Sequence, residues 1–136
     1  MCLGGLLQIV IDASALLAVL LAEKHRDRVL AATAGVTLCA PASLPWEIGN
    51  ALSASLKRGR FSLTVARAAV AGYERIPVRL VPVDLGEALS LASAHGLYAY
   101  DAYLLATCRT VRAPLLTLDG GLRHVAPAAR VSLVEV

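Results

Sequence analysis

The run Gln8-Ile9-Val10-Ile11 ends abruptly in Asp12 and gives way at once to the Ala/Leu-rich stretch Ala13 to Ala22. β-Branched residues favour extended backbone and Ala and Leu favour helix, so the chain opens strand, then helix. That change of segment type recurs. Val36 to Ala40 reads as a second strand stopped by Pro41, Val78 to Val83 as a third with Pro82 at its end, Pro114 to Leu118 as a fourth and Val131 to Val134 as a closing strand. Helices are expected from about Arg26 to Ala34, from Pro45 as first residue to a stop at Gly59, and from a Ser62 cap to about Ile76. Two more are expected, one from an Asp84 cap with Glu87 reaching back to it, the other from near Ala99 to Arg109. A strand with one wet face alternates apolar and polar residues, whereas these strands are apolar along most of their length. They are therefore buried on both faces, as in a parallel sheet covered by helices. The expected fold is α/β, a central, mostly parallel sheet of about four to five strands with helices on both faces.

A length of 136 residues fits one domain spanning 1–136, with Met1 to Leu7 read as a flexible tail. Apolar residues make up 57% and charged residues 17%, which excludes a disordered chain. The apolar stretch Leu6 to Ala22 is interrupted by Gln8 and Asp12 and has no Lys or Arg before it, so neither a membrane span nor a signal peptide is expected. Cys2, Cys39 and Cys108 are odd in number and widely separated, which indicates neither a disulfide framework nor a zinc site and suits a reducing, cytoplasmic setting. The net charge of +3 permits nucleic-acid binding without demonstrating it. No repeat, low-complexity tract or linker marks a second domain.

In an open parallel sheet, ligands gather beyond the carboxyl ends of the strands. Asp12 directly follows the first strand, Asp119 follows the fourth, and Glu47 lies in the first turn of the helix after the second. Asp101 sits in the first turn of a later helix, which can point at the same rim. Each acid also has a plain structural explanation: Asp12 and Asp101 as helix caps, Asp119-Gly120 as a turn, Glu47 as a complement to a helix dipole. Asp84 and Glu87 show that plain case, a capping box given no chemistry. Jointly, four acids at one rim would raise one another's pKa unless a cation neutralised them. Oxygen donors without His or Cys suit Mg²⁺ or Mn²⁺, and such an ion favours phosphodiester hydrolysis through an activated water.

Four segments then resemble one family. Ile9-Val10-Ile11-Asp12-Ala13-Ser14 is similar to the opening strand of PIN-domain nucleases, and Pro45-Trp46-Glu47-Ile48-Gly49-Asn50-Ala51-Leu52 to their Glu-bearing helix. Tyr100-Asp101-Ala102-Tyr103-Leu104-Leu105-Ala106 resembles their third acidic motif and Leu116-Thr117-Leu118-Asp119-Gly120-Gly121-Leu122 their fourth. The match spans essentially the whole chain, and within the family a chain this short is most similar to the VapC toxins of toxin–antitoxin pairs. The resemblance implies a Mg²⁺- or Mn²⁺-dependent endoribonuclease cutting RNA, often transfer or ribosomal RNA. It also implies a homodimer silenced by a cognate VapB-type antitoxin whose tail lies across the acidic site. Carried over by motif position, Asp12, Glu47, Asp101 and Asp119 are the metal-binding and catalytic acids, Asp119 corresponding to the family's most variable one. Ser14, Asn50 and Thr117 rank below them as polar groups that orient a carboxylate, a water or a phosphate, or that merely cap.

Lys57, Arg58 and Arg60 form the densest basic cluster, suited to an RNA backbone or simply to a helix C-terminus. His25, His95 and His124 have no partner at ligand spacing and are assigned nothing. Trp46, Tyr100 and Tyr103 flank the acids and suit base stacking, although packing at helix starts is the simpler role. The apolar residues from Leu63 to Val70 suit a dimer or antitoxin contact and a core face equally. A haloacid-dehalogenase reading needs a second Asp where Ser14 stands. An RNA-processing PIN nuclease and a non-catalytic PIN-like binding or assembly module remain as alternatives.

Overall fold

The structure, a computed structural model, describes residues 7–136. The expected tail over Met1 to Leu7 and the residue Cys2 fall, Leu7 apart, outside the described residues. In chain order the elements are β1 (Gln8–Ile11), α1 (Ala13–Leu20), α2 (Arg26–Thr33), β2 (Thr37–Pro41), α3 (Leu44–Lys57) and α4 (Leu63–Glu74). They continue with β3 (Val78–Val81), α5 (Leu85–His95), α6 (Ala99–Val111), β4 (Leu115–Leu116), α7 (Gly120–Val125) and a 3₁₀ turn (Ala126–Ala129). The four strands form one parallel sheet in the order β3-β2-β1-β4. This is the α/β architecture expected from apolar strands, with helices on both faces.

Alternation along the strands divides two cores. Val10, Cys39 and Leu115 face one side and pack with α5, α6 and α7 through Leu91, Leu105 and Leu122. Ile9, Ile11, Ala40 and Leu116 face the other and meet α1, α3 and α4 through Leu16, Ile48 and Ala69. Most residues of β1, β2 and β4 are thus used by one core or the other, whereas β3, at the sheet edge, exposes Arg79 and Leu80. Among the described residues no helix is long and apolar enough to cross a membrane.

Local chemistry explains the boundaries. Asp12, Ser62, Asp84 and Asp119 each accept a backbone N–H from the first turn of the helix that they cap. Gly96 closes α5 at φ +64°, a conformation that a Cβ penalises. Gly72 on α4 has a packing role: a Cβ there would stand 2.8 Å from Leu20 Cδ2, so glycine lets α4 lie close against α1.

Several expectations are corrected. Pro41 lies inside β2 as its last residue, not beyond it. Ala42 N donates to Val81 O, so alternation turns the Pro41 nitrogen toward β1, and with no N–H to offer Ile11 O there the β1–β2 pairing stops at Val10 and Cys39. Pro45 is the second residue of α3, after Leu44. Val131 to Val134 forms no full strand and reduces to a single bridge, Leu115 with Leu133, because β4 is only two residues long. Asp119-Gly120-Gly121 is the start of α7 and not a free turn. Glu87 N donates to Asp84, but the Glu87 carboxylate leaves the cap to meet Arg109 Nε at 3.4 Å.

Candidate active site

The chain leaves β1 for β2 on one side and comes back to β4 on the other. The strand order therefore reverses beside β1, and a crevice opens at the carboxyl ends of β1 and β4. Asp12 is the first residue past β1, and Thr117, Leu118 and Asp119 are the first past β4. The helices α3 and α6 return antiparallel to the strands, so their first turns, with Glu47 and Asp101, stand at the same rim.

Asp12 is the anchor, only 5% exposed. Its Oδ1 accepts hydrogen bonds from Ser14 Oγ at 2.7 Å and Ala15 N at 3.0 Å, and its Oδ2 accepts one from Thr117 Oγ1. The same two hydroxyls tie in the loop after β4: Leu118 N donates to Ser14 Oγ and Asp119 N donates to Thr117 Oγ1, both at 3.1 Å. Asp119 Oδ2 accepts from Leu122 N at 2.8 Å. Arg123 Nη1 braces the loop by donating to Thr117 O at 3.3 Å. Glu47 Oε2 accepts from Ser43 Oγ at 2.6 Å.

The electrostatics join the acids into one group. Burial pushes the Asp12 carboxyl above its ordinary value against the pull of the Thr117, Ser14 and Ala15 hydrogen bonds, and the charge of Asp119 adds to the rise. Glu47 is raised by burial, relieved by Ser43, and raised again by Asp12 and Asp101. Asp101 is raised by burial, then by Asp119 and Asp12. Among the described residues the ion pairs are Arg26–Asp27, Arg109–Glu87 and Arg123–Glu135, so none of these four acids has a cationic partner.

As they stand, no three His, Cys, Asp or Glu side chains among the described residues converge tightly enough to cage a metal ion. Asp12 feels the charge of Asp119, Glu47 that of Asp12 and Asp101, and Asp101 that of Asp119 and Asp12. An oxygen-only donor set without His or Cys suits a hard divalent ion such as Mg²⁺, which keeps several of its waters. Without His or Cys among its donors, the rim is a poorer match to zinc. The site is a rim and not a chamber. A concavity of about 560 Å³ lies instead at the other end of α6, lined by Cys108, Arg109, Arg112, Pro114, Arg130 and Ser132.

The structure brings Asp12, Glu47, Asp101 and Asp119 to this rim with Ser14 and Thr117 behind them. Asn50 lies one turn beyond Glu47, exposed. Lys57 ends α3, Arg58 caps it and Arg60 follows, ten or more positions past Glu47 and so roughly 15 Å along the helix axis from the acids. They do not join the rim. Sequence reasoning missed Ser43, Arg123 and Tyr98. Ser43 precedes Glu47 by four positions, the spacing of a helical pair, and that signal was available. Tyr98 sits at the N-cap of α6, 91% exposed.

Comparison with known proteins places this geometry. A model of the PIN domain family matches residues 9–127. A search of curated proteins gives no match. Among solved structures, PAE2754 from Pyrobaculum aerophilum superposes with a TM-score of 0.69 at 26% identity, over 88% of this chain and 86% of that one. VapC20 from Mycobacterium tuberculosis gives 0.65 at 17% identity, over 94% and 98%. FitAcB from Neisseria gonorrhoeae gives 0.66 at 20% identity, over 93% and 96%. With the family model covering all four acidic positions and the sheet order and rim built as described, this chain belongs to the PIN-domain family.

Proposed function

We propose that this protein is a metal-dependent endoribonuclease and the toxin of a toxin–antitoxin pair. The observation that carries this reading is the rim itself: Asp12, Glu47 and Asp101 are raised by burial and by neighbouring acid charge, Asp119 lies beside them, and among the described residues none of the four has a cationic partner. A bound Mg²⁺ or Mn²⁺ supplies the missing positive charge, draws in a phosphate oxygen and makes a water more acidic. Asp12, with Asp101 and Asp119 beside it, would hold that ion. Ser14 and Thr117 fix the Asp12 carboxylate in one orientation, so little reorganisation is left for the moment of reaction. Glu47, pinned through Oε2 by Ser43 and held above its ordinary value, is placed to accept a proton from the attacking water. An open rim admits a polymer.

The toxin assignment is supported by the solved structures of similar fold. VapC20 is described as a sarcin–ricin loop cleaving toxin. VapBC2 of Rickettsia felis is seen bound to a DNA fragment from their promoter. By this likeness the partners are an RNA substrate, a VapB-type antitoxin and a second copy of the chain. The test is cleavage of a panel of total and transfer RNAs by purified, antitoxin-free protein in Mg²⁺, Mn²⁺ or EDTA, beside Asp12→Asn. Cutting that needs metal and is lost in the variant is expected. No cutting in any metal overturns the nuclease reading in favour of a binding module.

A further inference from the structure

The chain has one tryptophan, four tyrosines and one phenylalanine. Four of these six lie within three positions of an acid at the rim: Trp46 beside Glu47, and Tyr98, Tyr100 and Tyr103 around Asp101. The remaining two, Phe61 and Tyr73, pack against the core. Burial explains those two but not the rim. Trp46 is 70% exposed, Tyr98 91% and Tyr100 44%, so the expectation that Trp46, Tyr100 and Tyr103 pack at helix starts fails for the first two. Tyr103 is half-buried and braces Tyr100 edge-to-face, ring centroids 5.9 Å apart at 66°. One ring is thereby held and its neighbour presented.

We propose that Trp46 on α3 and, at the start of α6, Tyr98 and Tyr100 form a stacking site for the nucleobases that flank a phosphate held at the acidic rim. The first turns of both helices stand at the carboxyl ends of the strands. A nucleotide unit carries a phosphate and an aromatic face a few ångströms apart, and each of these helix starts pairs a carboxylate with exposed rings in the same turn. A base inside a duplex keeps both faces covered by its neighbours, so a ring at this rim can stack only on a base that is already unpaired or at a chain end. A protein partner would want continuous apolar surface, whereas here carboxylates interrupt the rings. The inference rests on the nuclease reading for its substrate class but is tested without cleavage.

Trp46, as the only tryptophan, reports directly. In EDTA, titration with a short single-stranded oligoribonucleotide should quench its emission saturably, and the same strand annealed to its complement should bind about tenfold or more weakly. By anisotropy of the labelled single strand, Trp46→Ala and Tyr98→Ala should each weaken binding about tenfold, and Trp46→Phe should keep most of it. Both positions are exposed, so the variants keep the fold. Equal affinity for single strand and duplex, or alanine variants that bind single strand like wild type, overturns the proposal. So does an outcome in which these variants lose a co-expressed antitoxin while keeping their RNA affinity. If quenching is seen but no RNA is ever cut, the stacking site stands and the nuclease reading fails; the converse result sinks only the stacking site.

Discussion

Two helices begin with the same capping geometry and lead to different places. At the start of α5, Asp84 accepts the Glu87 N–H at 3.1 Å; at the start of α1, Asp12 accepts the Ala15 N–H at 3.0 Å. The first cap is exposed, and the acid one turn on, Glu87, meets Arg109. The second is buried, its other oxygen takes the hydroxyl of Thr117 from 105 positions away, and the acids around it have no cation. Capping and chemistry are therefore not rival explanations of an acid. One oxygen is enough to cap, and what surrounds the other decides whether the residue does more.

The comparison breaks or sharpens most sharply at Asp12. Asp12→Asn keeps the shape and removes the charge, and should cut RNA more than about 100-fold more slowly, beyond what a supporting residue costs. Asp84→Asn, assayed in parallel, should cut like wild type; equal losses in the two would erase the distinction. Next comes Thr117→Val, which removes the hydroxyl on Asp12 Oδ2. It should lower metal affinity or cleavage about 10- to 100-fold, with Thr117→Ser restoring most of it.

Thermal melts give the third test. At a hundredfold excess over its dissociation constant, Mg²⁺ should add about 2.7 kcal/mol to wild type and to Asp84→Asn but nothing to Asp12→Asn. The pH dependence follows from the same charges. Asp12, Glu47 and Asp101 titrate above their ordinary values of 3.8, 4.5 and 3.8, so in that window the folded chain holds protons that the unfolded chain has released. Their contribution makes metal-free stability fall as pH rises through the window and level off above it, and Asp12→Asn should flatten the fall. Melts in EDTA from about pH 4 to pH 8 read this, and a slope difference of the opposite sign breaks the electrostatic account. The smallest effect belongs to Asp84→Ala, about 1 kcal/mol of stability with cleavage unchanged.

Much of the architecture was legible because burial on both faces leaves a mark that needs no alignment: Ile9-Val10-Ile11 has no polar position to offer water. The closing segment misled for the same reason. Val131 to Val134 has the composition of a strand, but a ladder also needs a partner of equal length, and β4 gives Leu133 a single bridge. Arg123 reaches Val134 O at 3.5 Å, a side-chain contact that no strand pattern signals. Asp119-Gly120-Gly121 read as a turn because two glycines weaken a helix, yet Asp119 caps them into one. In the site, the order of the acids along the chain was visible; that Ser14 and Thr117 meet on one carboxylate depends on β1 lying next to β4, which local pattern does not encode. For Trp46 and Tyr100 the sequence offers stacking and packing and favours packing, because exposure is a property of the fold and not of a helix start.

The bond between Thr117 and Asp12 also sets a clock. Asp12 is made early and its partner 105 positions later, which at ordinary translation speeds is a delay of roughly five to twenty seconds. Until β4 docks beside β1, the nascent chain carries Asp12, Glu47 and Asp101 without the hydroxyl that aims the first of them. A site assembled in this order is complete only once the last strand has been made and has docked, so its geometry is absent through most of the chain's own synthesis.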